Sequence, residues 1–199
     1  PHMQTTAFPT SLSSGVRAID HATEGMCSPD SNPISDGYYQ QALKLLGRSL
    51  LKTKRNPADL DARLETFFGI WLAIAGRHGG VEMGASHAIG HVLGGSCGVP
   101  HGYTSCVMLP HVLRYNRAAN AERQRLVAEA LGHPGKDAAD VLANFIAELG
   151  LPQRLADVGI GSDKFSLIAT TAMHDKWLHK NPVKITSPEQ VLKILEAAA

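Results

Sequence analysis

Residues 56–75 read NPADLDARLETFFGIWLAIA, the clearest helical pattern in the chain. Asn56 followed by Pro57 is typical of a helix start, because Asn caps the first turn and Pro suits its first position. Large apolar residues then recur three or four positions apart, which places them on one side of an α-helix. They are Leu60, Leu64, Phe67, Phe68, Trp71, Leu72 and Ala75. We therefore expect a helix that begins at Asn56-Pro57 and buries this side in the core.

Helical patterns also cover most of the remaining chain. Breaker residues separate them, and no segment alternates between apolar and polar residues as a half-buried strand does. The patterns lie at residues 15–26, 34–54, 83–93, 105–116, 121–131, 137–149, 165–174 and 188–198. This predicts an all-α fold, a single bundle of eight or nine helices formed by residues 4–199. Residues 1–3 are interpreted as a cloning scar plus a start methionine, and His2 is left out of the site.

The composition excludes several classes of function. Nineteen Lys and Arg residues against eighteen Asp and Glu leave a formal charge of +1, without the basic patch of a nucleic-acid-binding protein. No apolar run is long enough to span a bilayer and no signal peptide is visible, which predicts a cytoplasmic protein without a membrane partner. Three cysteines without CxxC spacing favour reduced thiols. Cys97 and Cys106 flank His101, and we expect them to be small buried residues rather than nucleophiles.

Histidines concentrate in one part of the chain, because five of the ten lie within residues 78–111. His87 and His91 are four residues apart, on one side of a predicted helix with small neighbours. The helix breaks at Gly94-Gly95, and the chain returns to His101, which brings a third imidazole towards the first two. Converging imidazoles suit a metal site or acid–base catalysis, because their charge changes near neutral pH. The alternative is that each is a structural histidine.

Several motifs resemble those of iron-containing alcohol dehydrogenases and maleylacetate reductases. They are SGVRAIDHATEG at residues 14–25, NPISD at 32–36, GASHAIGH at 84–91, GVPHG at 98–102 and LPHVLRYN at 109–116. The resemblance covers almost the whole chain but matches only the C-terminal helical half of that two-domain family, whose N-terminal half binds NAD(P). It implies metal-ligand positions at His21, His87 and His101, and a second histidine of catalytic type at His91.

The resemblance breaks at one ligand position. The fourth ligand of the iron enzymes is an Asp one helical turn before His21, and this position is Arg17, which cannot bind a metal. Asp20 is expected to point elsewhere on the helix. No cofactor is therefore favoured, although His21, His87 and His101 would be the ligands if iron or zinc bound. Maleylacetate reductases also lack the Asp and need no metal, which implies that Arg17 and His21 bind a carbonyl- or carboxylate-bearing substrate.

Three functions are consistent with these features. We favour a stand-alone, cofactor-independent lyase, isomerase or cyclase, including pericyclic ring closure, with His87, His91 and His101 as catalytic residues. The first alternative is half of an NAD(P)-dependent dehydrogenase or reductase that needs a nucleotide-binding partner domain. The second is a non-catalytic metal-binding or interaction domain. A half-length chain whose cleft-facing side has lost its cover is expected to form a homodimer or to close the gap with residues 4–13. The first alternative also predicts an apolar patch, facing the missing partner, that drives self-association.

Overall fold

The computed structural model describes residues 8–199, with side chains from Leu12 onwards. Its α-helices are α1 (Phe8–Cys27), α2 (Pro33–Arg55), α3 (Leu60–Ala75), α4 (Ala85–Gly95), α5 (His101–Ala130), α6 (Ala138–Leu149), α7 (Phe165–Ala172) and α8 (Pro188–Ala197). Short 3-10 helices lie at Gly76–Gly79, Leu155–Val158, Ser162–Lys164 and Leu178–Lys180, and no strand occurs within the described residues. The predicted all-α fold is thus confirmed. The predicted scar at residues 1–3 and residues 4–7 lie outside the described range.

Helix α5 connects two hydrophobic cores. The first core is built mainly from α1, α2, α5 and α6, and the second from α4, α5, α7 and α8. Helix α1 packs against α2, α3 and α5. Asn120 has a non-helical backbone (φ −143°, ψ 31°) that divides α5, in line with the two separate helices predicted on either side of it. No helix in the described part of the chain is long and apolar enough to cross a membrane.

The predicted start of α3 at Asn56-Pro57 is wrong. The backbone N–H of Asn56 still bonds to the carbonyl of Lys52, so Asn56 ends α2. Its side-chain oxygen accepts a hydrogen bond from the N–H of Ala58, 3.2 Å away, which stabilises a turn instead of a helix. Helix α3 begins after Asp59, whose carboxylate accepts from the N–H of Ala62 at 2.9 Å. Asp59 is therefore the N-cap of α3, the role that was predicted for Asn56.

The predicted core side of α3 is also wrong for most of its residues, because Leu60, Leu64, Phe67, Phe68 and Trp71 are exposed, while Leu72 is partly buried against the first core. The buried positions of α3 are instead small: Ala62, Thr66, Gly69 and Ala73. A side-chain Cβ at Gly69 would lie only 2.7 Å from Leu46 of α2, so the two helices approach too closely there for a larger residue. Thr66 donates a hydrogen bond to Ser49 of α2 at 2.8 Å. Close packing on small residues therefore decides which side of α3 is buried.

Candidate active site

Helix α4 is capped by a carboxylate from a different helix. Its N-cap residue, Gly84, has no side chain to serve this purpose. Glu24 of α1 supplies it: Oε1 accepts from the N–H of Ser86 at 2.8 Å, and Oε2 accepts from the N–H groups of Gly84 at 2.9 Å and His87 at 3.3 Å. Asn181 Oδ1 accepts from the first helical N–H at 3.2 Å. Because an anion at a helix N-terminus also complements the helix dipole, Glu24 fixes α4 against α1.

The same carboxylate begins a chain of hydrogen bonds through two histidines. His87 Nδ1 lies 2.8 Å from Glu24 Oε2, and His87 Nε2 lies 3.0 Å from His21 Nδ1. An ionised carboxylate only accepts, so His87 carries its proton on Nδ1 and accepts at Nε2 from the Nδ1–H of His21. Burial lowers the pKa of His87 to about 3 and lowers the pKa of His21 as well, with Arg17 adding to both effects. Both rings are therefore neutral at pH 7, and Nε2 of His21 is left as an acceptor.

Arg17 is a buried cation held by a second carboxylate. Its Nη1 donates to Ser105 Oγ at 3.0 Å and lies 3.7 Å from Asp20 Oδ2. Asp20 Oδ2 also accepts from the hydroxyls of Ser105, at 2.6 Å, and Ser86, at 2.8 Å. Asp20 Oδ1 lies 3.6 Å from His87 Nδ1, so Asp20 belongs to this cluster and does not point elsewhere, as the sequence suggested. Neither Arg17 Nε nor Asp20 Oδ1 has a hydrogen-bond partner among the described residues.

An open groove of about 300 Å³ gives ligands a route to Arg17. The residues that line it are Ser13, Ser14, Arg17, Pro100, His101, Gly102 and Tyr103. His101 is the first residue of α5, and its side chain is exposed. Partial burial lowers the pKa of His101, and the positive charge of Arg17 lowers it further. A small anion in this groove would meet a guanidinium and an imidazole together.

His91 lies beside the buried histidines and is oriented by an acidic partner. Its Nδ1 lies 2.7 Å from Asp175 Oδ2, and 39% of its side chain is exposed. The ring of Trp177 packs 5.0 Å from the ring of His91 and 5.6 Å from that of His87, so the two histidines do share one side of α4. Arg77 covers Trp177, with its guanidinium carbon 4.9 Å from the ring centre. A carboxylate on Nδ1 leaves Nε2 of His91 unprotonated when the ring is neutral.

Each residue predicted for the site from the sequence lies in or beside this cluster. Arg17 and His101 share the groove, His21 contacts His87, and His91 contacts the same tryptophan as His87. The residues that hold them were not predicted from the sequence: they are Glu24, Ser86, Ser105, Asp175 and Trp177. One signal existed for Glu24: a helix that begins at a glycine needs its cap from elsewhere. No pattern in the sequence around Asp175 indicates a role in the site, because its partner, His91, lies 84 residues away.

Cys106 does not act as a nucleophile in this arrangement. Burial raises the pKa of its thiol to about 12. Its Sγ donates to the carbonyl oxygen of Gly102 at 3.3 Å, within the same helix. Because the thiolate is the reactive form, Cys106 is a small buried residue, as predicted, while Cys97 is half-buried.

The donor groups here do not fit the metal that the resemblance implies. Among the described residues, the group of three whose ligand atoms lie within 4.8 Å of one another is Asp20, Glu24 and His87, not His21, His87 and His101. Both oxygens of Glu24 already accept N–H groups, and Asp20 Oδ2 accepts two hydroxyls. Arg17 places a fixed positive charge 3.7 Å from Asp20. A divalent ion would have to displace these donors and approach a buried cation.

Comparison with known proteins agrees with the motifs. Residues 11–199 match the C-terminal region of the Fe-containing alcohol dehydrogenase family. A 1,3-propanediol dehydrogenase from Citrobacter freundii is 34% identical over 185 residues, 88% of this chain and 48% of that protein. A maleylacetate reductase from Pseudomonas knackmussii is 33% identical over 167 residues, 84% of this chain and 47% of that protein.

A solved structure gives the same result for the fold. The crystal structure of maleylacetate reductase from Agrobacterium tumefaciens superimposes with a TM-score of 0.86 at 30% identity, over 98% of this chain and 54% of that chain. The chain therefore spans about half the length of the relatives that it matches. It belongs to the iron-containing alcohol dehydrogenase family, and it corresponds to the C-terminal, helical region of that family.

Proposed function

We propose that this site performs metal-independent proton transfer on a small molecule that carries a carbonyl or carboxylate group. The observation that carries the proposal is Arg17, a buried guanidinium that lines the groove next to His101 and is held by Ser105 and Asp20. An immobilised guanidinium binds a carboxylate, or polarises a carbonyl, through charge-assisted hydrogen bonds. Stabilising negative charge on that oxygen lowers the barrier to removing a proton from the adjacent carbon.

His91 is the general base in this proposal. Asp175 holds its Nδ1–H, so Nε2 is free to take the proton from the substrate carbon. The His91 imidazolium then returns the proton at a second carbon, while neutral His101, on the groove, donates a hydrogen bond to the oxygen. The substrate then leaves as an isomer, without a change in oxidation state and without a nucleotide. Elimination or ring closure would begin from the same proton removal.

His21 and His87 hold fixed hydrogen-bond positions rather than exchange protons with solvent. Their lowered pKa values make them poor bases, and Glu24 fixes the proton on Nδ1 of His87. Nε2 of His21 remains as a neutral acceptor beside Arg17, four residues earlier on α1. It suits a hydroxyl of the substrate, while Arg17 suits the anionic oxygen.

A second function is favoured by the half-length coverage of the relatives. The region described here would then supply the substrate side of an NAD(P)-dependent dehydrogenase or reductase, whose nucleotide site lies in another domain. Hydride transfer needs that cofactor, whereas proton transfer does not. The two functions therefore differ in whether the chain changes a substrate in the absence of NADH.

Exchange of carbon-bound protons tests the proposal. Maleylacetate, the compound in the name of several relatives, would be incubated with the chain in D2O without NADH, and deuterium beside the ketone followed by NMR. We expect exchange above the rate in buffer, reduced about 100-fold or more by Arg17→Met and by His91→Asn. His133→Asn, at an exposed loop residue, is the matched control and should exchange like the unmodified chain.

The outcome separates the two functions. If deuterium enters maleylacetate no faster with the chain than in buffer alone, the chain does not transfer protons on this compound, and the proposal is contradicted. Oxidation of NADH, with maleylacetate, by the chain and an added nucleotide-binding domain, but no exchange without it, would favour the second function. Equal exchange by the Arg17→Met variant would remove the observation on which the proposal rests.

A further inference from the structure

The outer side of α3 exposes six large apolar side chains, which we call the α3 stripe. They are Leu60, Leu64, Phe67, Phe68, Trp71 and Ile74. Between 41% and 60% of each is exposed. At a rise of 1.5 Å per residue the stripe is about 21 Å long. No charged residue occurs from position 66 to position 76, so the second half of α3 has no polar edge of its own. Apolar patches of this kind mark interaction surfaces.

The stripe is nearly symmetric about the point between Phe67 and Phe68. Leu64 lies three residues before Phe67, and Trp71 lies three residues after Phe68. Two copies of α3, crossed antiparallel about a two-fold axis at this point, would pack Leu64 of one protomer against Trp71 of the partner subunit. The two ends of the stripe would meet in the same way. A surface that complements itself in this manner is what an isologous dimer requires.

The charges on α3 favour the same arrangement. Asp61, Arg63 and Glu65 all lie in the first two turns. In an antiparallel pair they would lie beside the uncharged half of the partner's α3, so that no like charges meet. Glu65 is already paired within the chain, to Arg48 and Lys52 of α2. Glu65 would therefore lie at the polar edge of the interface, where it keeps these partners and does not need to lose its solvent contacts.

The area of the patch suits a second copy. Three half-exposed aromatic rings and three aliphatic side chains offer roughly 500 Å² per protomer, taking full burial of an aromatic ring as 150–250 Å². Ile34 and Tyr38 at the start of α2 are also exposed, and the next residue, Tyr39, packs against Gly76 just after the end of α3. Together these residues approach the roughly 800 Å² per partner of a standard interface. We propose that the α3 stripe is covered by a second copy of this chain, in a two-fold dimer centred on Phe67 and Phe68.

The oligomeric state tests this proposal without reference to any activity. Light scattering after size-exclusion chromatography, at about 100 µM chain, should give twice the chain mass of 21.3 kDa. Trp71→Glu and Leu64→Lys should each raise the dissociation constant at least about 30-fold, because each would place a charged group without a partner in the apolar contact. Leu167→Lys, on α7, is the matched control: Leu167 is as exposed as Phe67, at 58%, but lies outside the stripe.

Mixing the variants tests the antiparallel arrangement. The Trp71→Glu and Leu64→Lys chains should each be monomeric, because a dimer of either variant would place two charged residues against apolar partners. Mixed together they should form a dimer, because it has one Glu–Lys pair and one unchanged Leu64–Trp71 pair across the axis. Both positions are exposed, so circular dichroism of each variant should match that of the unmodified chain. A monomeric unmodified chain at this concentration, or a Trp71→Glu chain that stays dimeric, would overturn the proposal. A mixture that stays monomeric would overturn the antiparallel pairing.

Discussion

Nε2 of His87 lies 3.0 Å from Nδ1 of His21, and both rings are buried between α1 and α4. Two protonated imidazoles at this distance would repel, so the contact exists only while at least one ring is neutral. Glu24 at the other end decides which nitrogen of His87 carries the proton. The positive charge that the cluster presents to a ligand therefore comes from Arg17 and not from these histidines.

The stability of the fold should fall as the pH falls below about 6.5, in part because His21 resists protonation. The pKa of His21 is lowered in the folded chain, while the unfolded chain keeps the ordinary value of 6.5. Below that pH the unfolded state binds a proton that the folded state does not, so the contribution of His21 to stability is present above pH 6.5 and is lost as the pH falls. The limiting slope is about 1.4 kcal/mol per pH unit for one proton.

His21→Asn isolates this effect, because the Asn amide still donates to Nε2 of His87. Between pH 7 and pH 5, the free energy of unfolding measured in urea should depend less steeply on pH in the variant than in the unmodified chain. The difference in slope should be up to about 1.4 kcal/mol per pH unit. Asp20 and Glu24, whose pKa values are raised by burial, act in the opposite direction in both chains and so cancel in the comparison. Parallel curves for the two chains would show that His21 is not kept neutral.

Glu24 should matter more to stability than an ordinary helix cap. Glu24→Ala leaves three backbone N–H groups and the Nδ1–H of His87 without their acceptor, in a buried place. We expect a loss of about 3–5 kcal/mol in the free energy of unfolding. Asp137→Ala is the control, since Asp137 caps α6 from within its own helix, and its loss should be about 1 kcal/mol. Equal losses in urea unfolding would mean that Glu24 is only a local cap.

Gly84 should not tolerate a side chain. A Cβ there would lie 2.9 Å from Glu24 Oε1 and 3.1 Å from Asn181 Oδ1, the two groups that cap α4. We expect Gly84→Ala to cost about 2 kcal/mol in thermal or urea unfolding. At Gly37, in α2, a Cβ would meet nothing within 4 Å, so Gly37→Ala should instead stabilise the chain by up to about 1 kcal/mol. A destabilised Gly37→Ala chain, or an unaffected Gly84→Ala chain, would contradict this account of the cap.

Periodicity along the chain predicted the all-α fold and placed His87 and His91 on one side of a helix, because both depend on residues close in sequence. It failed for α3, where apolar residues at helical spacing indicated the core but small residues let α2 approach the opposite side. Periodicity locates an apolar side and does not say what covers it. The residues that hold the site in place could not be predicted from the sequence for a related reason. Glu24 contacts residues about 60 positions away, and only the packing of α1 on α4 brings them together.

Arg17 should decide whether this site holds a divalent metal. Its guanidinium lies 3.7 Å from Asp20 and one helical turn before His21, so it supplies the positive charge that a metal would otherwise bring. We expect the unmodified chain to bind no Co²⁺ in a spectroscopic titration. Arg17→Asp removes the cation and adds a carboxylate beside His21 and His87, and it should bind about one Co²⁺ per chain and be stabilised by it. Arg17→Met, which removes the charge without adding a ligand, is the control and should bind weakly. Stoichiometric Co²⁺ on the unmodified chain would show that a buried guanidinium does not exclude the metal here.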